Sequence, residues 1–296
     1  MKIRTRASDF AQRLPGRLRL VSSVAGLALL AACAGTGNSP TPGVPDQDAN
    51  NPSTYPAVMR IADAARSSGD FPAAVGLYRR ANALKPRDPE PLLKLGATLA
   101  QLHAYNESVA AYASALSLQP NSPDAERGLG NALVSLDQAD QAILHLENAL
   151  KLDPKDPRSY NSLGVVLDMT GEHRAAQKRY REGLAISPGN LAIGNNLGLS
   201  LALSGDFDQA VAVLRPLALH PSATARTRQN LALVYGLAGD LEAAARVARV
   251  DLDEAAVQHN LAYYSTLRSL ADKARTAAIR AQAAGSEANG TTVAGQ

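Results

Sequence analysis

Hydrophobic and polar positions alternate along residues 55–224 in a pattern that returns every 34 residues. The segment divides without gaps into five blocks: 55–88, 89–122, 123–156, 157–190 and 191–224. Position 7 of each block is a large aliphatic (Ile61, Leu95, Leu129, Leu163, Leu197), and position 8 is always small (Ala62, Gly96, Gly130, Gly164, Gly198). Position 20 is Ala74, Ser108, Ala142, Ala176 and Ala210, and position 24 is Tyr78, Tyr112, Leu146, Tyr180 and Leu214. Position 27 is Ala81, Ala115, Ala149, Gly183 and Leu217. Four prolines keep the same interval, Pro86, Pro120, Pro154 and Pro188. A 34-residue period of this kind predicts stacked helix–turn–helix units, hence an all-α fold.

Each residue type has a physical task in that reading. Small residues at positions 8 and 20 let the two helices of a unit approach, and large ones at 7 and 24 fill the remaining space. Position 15, in the predicted turn, is Gly69, His103, Asp137, Gly171 and Gly205. Glycine there supports the positive φ that ends a first helix. The proline near the block end cannot continue a second helix. A polar residue then caps the next one, three times with proline behind it: Asp88-Pro89, Ser122-Pro123 and Asp156-Pro157.

These positions resemble the tetratricopeptide repeat. The resemblance implies a right-handed α-solenoid superhelix with a C-terminal capping helix. The tryptophan frequent at position 4 of that repeat is absent. Val58, Leu92, Glu126, Tyr160, Gly194 and Arg228 stand there, which predicts looser packing in some units. A sixth unit begins near Ala225. Leu261 follows Leu231 by only 30 residues, so its second helix is expected to be about a turn short. Residues 255–283 read as a half repeat ending in a solvated helix, made polar by Lys273, Arg275 and Arg280. The solenoid is therefore expected over 55–283, with a Gly/Ser/Thr-rich disordered tail at 284–296.

The first residues have another character. Lys2, Arg4, Arg6, Arg13, Arg17 and Arg19 precede an uncharged stretch, Leu20–Ala32, too short to span a bilayer but suited to a signal-peptide core. It runs into Leu30-Ala31-Ala32-Cys33, and Cys33 is the only cysteine. This tetrapeptide resembles the bacterial lipobox. The resemblance implies a signal peptide over 1–32, covalent lipid on Cys33 and a membrane anchor. Ala34, rather than Asp, behind the cysteine favours the outer membrane under the enterobacterial sorting rule. Residues 33–54, with Pro40, Pro42, Pro45 and Pro52, read as a flexible tether.

Cleavage changes the charge balance. The full chain has 30 basic and 27 acidic residues; loss of the leader leaves 24 against 26, a formal −2. The basic leader thus accounts for the positive balance, and nucleic acid is not an expected partner. The five histidines show no metal-ligand spacing, and the chain has neither a phosphate-binding loop nor a nucleophile elbow. Asp251 and Asp253 read as a solvated loop. No metal, no cofactor beyond the lipid, no small-molecule substrate and no catalytic residue are expected; the chain reads as a binder of proteins.

In the repeat family, positions 5 and 9 of the first helix face the concave groove. Position 5 is Met59, Leu93, Arg127, Asn161, Asn195, Gln229 and His259; position 9 is Asp63, Ala97, Asn131, Val165, Leu199, Leu233 and Tyr263. The expected groove residues are Arg127, Asn131, Asn161, Asn195, Gln229, His259 and Tyr263, whose amides can donate to and accept from a peptide backbone. Arg127 and Asn131 are similar to part of a carboxylate clamp, but Ser162 stands where its facing base would be. Tyr263 and Tyr264 are expected to fill the last inter-helix space.

The run Val257-Gln258-His259-Asn260-Leu261-Ala262-Tyr263-Tyr264, continued by Leu267-Arg268-Ser269-Leu270, resembles the C-terminal signature of the TadD lipoproteins of tight-adherence (Flp) pilus assembly. That resemblance implies a pilotin-like scaffold on the periplasmic face of the outer membrane, with the pilus secretin or another assembly protein as partner. Two alternatives stay open at this stage. One is an adaptor lipoprotein of another outer-membrane or exopolysaccharide system. The other is a soluble cytoplasmic adaptor.

Overall fold

The computed structural model describes residues 53–270, 278 and 279. Cys33, the leader, most of the tether, the polar residues Lys273, Arg275 and Arg280, and the 284–296 tail lie outside the described residues. The elements are helices in pairs: α1 (Tyr55–Ser67) with α2 (Phe71–Leu84), α3 (Glu90–Gln101) with α4 (Tyr105–Leu118), and α5 (Pro123–Ser135) with α6 (Ala139–Leu152). Then come α7 (Pro157–Met169) with α8 (His173–Ile186), α9 (Leu191–Leu203) with α10 (Phe207–Ala218), α11 (Ala225–Ala238) with α12 (Leu241–Ala248), and the closing α13 (Glu254–Ser269). No strand occurs among the described residues.

Local chemistry sets these boundaries. Four second helices stop one residue earlier than their proline alone would require. Lys85, Gln119, Asp153 and Ser187 precede the prolines, with φ of −134°, −134°, −133° and −132°. Proline Cδ disfavours helical geometry in its predecessor, so the chain leaves the helix there. The first helix of each of the six pairs ends alike: position 15 is left-handed, and the next N–H returns to the carbonyl five residues back, as from Asp70 to Ala65 and from Asp206 to Leu201. Gly69, Gly171, Gly205 and Gly239 adopt this φ freely, whereas His103 (56°) and Asp137 (59°) adopt it against side-chain sterics. Side chains of Asp70, Ser122, Asp156, Asn190, Thr224, Asp240 and Asp253 accept N–H groups of the helices they precede.

Packing follows the 34-residue pattern. The glycine at position 8 lies under the large residue at position 24. A Cβ on Gly96 would meet the Tyr112 ring at 2.9 Å, and one on Gly164 would overlap the Tyr180 ring. Tyr78, Tyr180, Leu146 and Leu214 are fully buried in this way, each contributing about 2 kcal/mol of burial free energy. The missing tryptophan leaves less looseness than expected, because sizes are exchanged between positions 4 and 27. Gly194 lies against Leu217, and Tyr160 against Gly183. At the same position Arg228 forks onto Asp251 at 2.7 and 2.6 Å, so that carboxylate is structural rather than solvated. Asp253 is structural too, as the cap of α13.

The sixth unit is short as its spacing predicts: α12 has 8 residues where α2, α4, α6 and α8 have 14. α13 then packs on both α11 and α12. Tyr264 is buried against Gly236, the filling role expected of that tyrosine. One apolar core runs from Val58 to Val234 and a second from Ala232 to Ile279. The first helices from α3 to α13 touch one another in sequence, and no two second helices are in comparable contact. First helices thus line the inner, concave side and second helices the outer, convex side, as in an α-solenoid.

Candidate functional site

The concave side of α7, α9 and α11 forms a pocket of about 590 Å³. Its apolar lining includes Val165, Met169, Leu199 and Leu203; its polar lining includes Asn161, Asn195, Asn196, Asp168 and Arg226. The repeat puts these side chains here because positions 5, 9 and 13 lie one turn apart on one helix face. Two amide rungs cross between units. Asn196 Nδ2 donates to Asn161 Oδ1 at 2.9 Å, and Asn230 Nδ2 donates to Asn195 Oδ1 at 3.2 Å. Each rung fixes its amides, leaving the Asn161 and Asn195 Nδ2 groups as donors and the Asn196 and Asn230 Oδ1 atoms as acceptors. An extended backbone presents the complementary C=O and N–H.

Asp168 anchors the pocket wall. It accepts from the Tyr180 hydroxyl at 3.0 Å and the Ser200 hydroxyl at 2.7 Å, and its Oδ1 lies 2.8 Å from His173 Nδ1. Burial pushes the Tyr180 phenol far above its usual range, and the Asp168 charge adds to the effect, so this hydroxyl remains a donor. The same device recurs at the N-terminal end, where Asp63 accepts from Tyr78 at 2.6 Å and Lys94 at 2.8 Å. Burial opposes ionisation of Asp63, but the Lys94 and Tyr78 hydrogen bonds outweigh it and hold the carboxyl below its ordinary value.

The expected groove residues separate into several environments. Asn161 and Asn195 meet in the pocket of α7, α9 and α11, joined by Val165 and Leu199. Arg127 does not: Nη1 binds Asp156 at 2.6 Å, and the other nitrogen meets Asp124. Its side chain is only 14% exposed, so its clamp-like position serves an ion pair between α5 and the α7 cap. Asn131 lines a separate recess of about 430 Å³ with Phe71, Gln101, His103, Tyr105 and Ser135. Gln229 and His259 are exposed, and neither makes a side-chain hydrogen bond to another described residue. Tyr263 donates its hydroxyl to the Ala278 carbonyl at 3.1 Å, a structural bond. The sequence reading missed Asp168 at position 12 and the donor halves of the rungs at position 6. Asn196 and Asn230, one repeat apart behind Asn161 and Asn195, were the available signal.

No cluster of three or more His, Cys, Asp or Glu side chains suited to a metal occurs among the described residues. No described helix is long and apolar enough to cross a membrane.

Two family models match the chain: a tetratricopeptide repeat over residues 59–125 and a TPR repeat over 130–171. No curated protein matches. Among solved structures, MamA is 31% identical over 52% of this chain and 90% of its own, with a TM-score of 0.47. The Cut9–Hcn1 hetero-tetramer of the APC/C is 17% identical over 74% of this chain and 44% of that one, with a TM-score of 0.64. PilF of Pseudomonas aeruginosa is 16% identical over 71% of this chain and 97% of its own, with a TM-score of 0.59. The 34-residue period, the turn geometry and the two family models together identify tetratricopeptide repeats in this chain, and the Cut9 complex and PilF share the fold.

Proposed function

We infer that this chain is a lipid-anchored assembly factor whose concave groove holds a segment of a partner protein. The observation that carries the binding role is the pocket of α7, α9 and α11, with two oriented amide rungs over an apolar floor. Such a surface binds an extended segment through its main chain, and its apolar wall selects the side chains between. Cys33, preceded by a signal-peptide core, supplies the anchor in this reading. Acyl chains hold such a protein firmly when more than one is present, at about 0.8 kcal/mol per buried CH₂. The C-terminal run through Tyr263-Tyr264 supports a role in tight-adherence pilus assembly, with the pilus secretin as partner at the periplasmic face of the outer membrane. Tethering raises the local concentration of bound subunits and so favours ring assembly without any chemical step.

The test is the amount of detergent-resistant secretin multimer in the outer-membrane fraction. Cys33→Ala is expected to lower or mislocalise the multimer while the chain itself persists unanchored. Asn161→Ala with Asn196→Ala removes one rung as a pair, and is expected to lower the multimer with the anchor intact. An unchanged multimer in both strains would reject the secretin as partner.

A further inference from the structure

Two convex helices carry opposite charge in the same repeat register. α8 presents Arg174, Lys178 and Arg181 at positions 18, 22 and 25, and α6 presents Asp140, Leu144 and Glu147 at the same three. Residues at i, i+4 and i+7 share one helix face. The three cations and Asp140 are exposed, Leu144 is 62% exposed, and Glu147 is half-buried beside Lys151 and Arg179. None of these five charged side chains forms an ion pair or side-chain hydrogen bond within the described chain. Three other convex cations are engaged within the chain: Arg79 with Glu107, Arg179 with Glu182 and Arg246 with Glu242. Among the second helices, α8 alone has a base at all three outward positions.

A flat anionic surface fits this stripe poorly. It would also meet Asp140 on one side of α8 and Asp208 on the other, and both would be repelled. A narrow acidic helix fits, and the chain supplies one in α6. We propose that the convex face pairs with a second copy of this chain, α6 of each copy lying on α8 of the other. A two-fold axis in the interface, parallel to the helices, produces this arrangement. α6 and α8 both begin at repeat position 17 and both have 14 residues, so like positions fall opposite each other. Asp140 then faces Arg174, Leu144 covers the alkyl stem of Lys178, and Glu147 faces Arg181, each contact made twice. The other in-plane axis would set α8 against α8 and bring like charges together. Because the outer face curves away, the interface is confined to these two helices. The pairing is weak, steered by charge and screened by salt. It requires neither the lipid anchor nor the concave groove.

Sedimentation velocity tests the pairing on the chain from Ala34 onward, which holds both apolar cores. At ~0.02 M salt the sedimentation coefficient is expected to rise towards a dimer value with concentration, and at ~0.5 M salt the rise is expected to vanish. Arg174→Glu with Arg181→Glu should stay monomeric, as should Asp140→Arg with Glu147→Arg, both with unchanged helical circular dichroism. An equimolar mixture of the two variants should associate, since each supplies the charge that the other lost. A wild-type chain that stays monomeric at low salt overturns the proposal. So does a mixture that stays monomeric while wild type associates, because the contact then lies elsewhere.

Discussion

At the scale of single residues, the turn between paired helices is the most exacting position. Position 15 is left-handed in six units, and four of them use glycine there. For a residue with a Cβ that conformation costs about 1–2 kcal/mol, partly offset because glycine loses more entropy on folding. Asp137→Gly is therefore expected to stabilise the chain by about 0.5 kcal/mol, seen as a higher denaturant midpoint at unchanged slope. A lower midpoint would mean that the Asp137 side chain makes a compensating contact. The corresponding change at His103 is less clean, since its Nδ1 lies 2.7 Å from the Tyr105 hydroxyl. The need for a positive φ at these sites was legible from the glycines of the other repeats. Which side chain tolerates it was not, because that depends on neighbours in space.

At the scale of elements, the joint between α5 and α7 rests on Asp156. Its side chain caps α7, accepts from Arg158 and Ser159, and pairs with Arg127, while only 4% exposed. Burial works against its charge, yet the Arg158 and Ser159 hydrogen bonds and the Arg127 charge prevail, pulling the carboxyl down to about 2. A carboxyl depressed on folding stabilises the native state above its unfolded value, near 4, and loses that contribution as pH falls towards about 2. The full contribution is about 2 kcal/mol. Acid unfolding of wild type should therefore steepen between pH ~4 and ~2, and Asp156→Asn should flatten that part of the stability–pH curve. At neutral pH the same variant leaves Arg127 without its buried partner, at a cost of about 3 kcal/mol. Equal slopes in the two proteins would show that Asp156 does not carry the acid sensitivity. The sequence showed Asp156 as a cap; its tie to Arg127, 29 residues away, appeared only in three dimensions.

At the scale of the whole molecule, the solenoid is a one-dimensional stack in which α13 packs on the last helix pair of the described residues. That helix covers α11 and α12, with Val257, Tyr264 and Leu267 buried. Ending the chain after Leu252 would uncover Leu233, Leu237 and Ala244, which belong to the second core. In a linear stack such a loss stays local. Hydrogen exchange should accelerate in α11 and α12 and remain slow in α5 to α8. Uniform acceleration would argue for one cooperative unit instead. The two binding surfaces inferred above also belong to this scale, because each needs several units held in register. The groove draws on α7, α9 and α11, and the charged convex face on α6 and α8.

The sequence by itself determined the period, the pairing of helices and the short sixth unit, and it put Asn161 and Asn195 on the helix face that lines the pocket. All of these follow from local rules: side-chain size every 34 residues, proline behind a helix end, glycine at a left-handed turn. Only the tertiary structure decided which polar side chains line the open pocket and which are tied up within the fold. Arg127 and Asn161 occupy the same repeat position, yet the first is bound by Asp156 and Asp124 while the second lines the pocket. The difference lies in what the neighbouring repeat brings within hydrogen-bonding distance, and that distance is fixed by the stacking of units rather than by the order of residues within one.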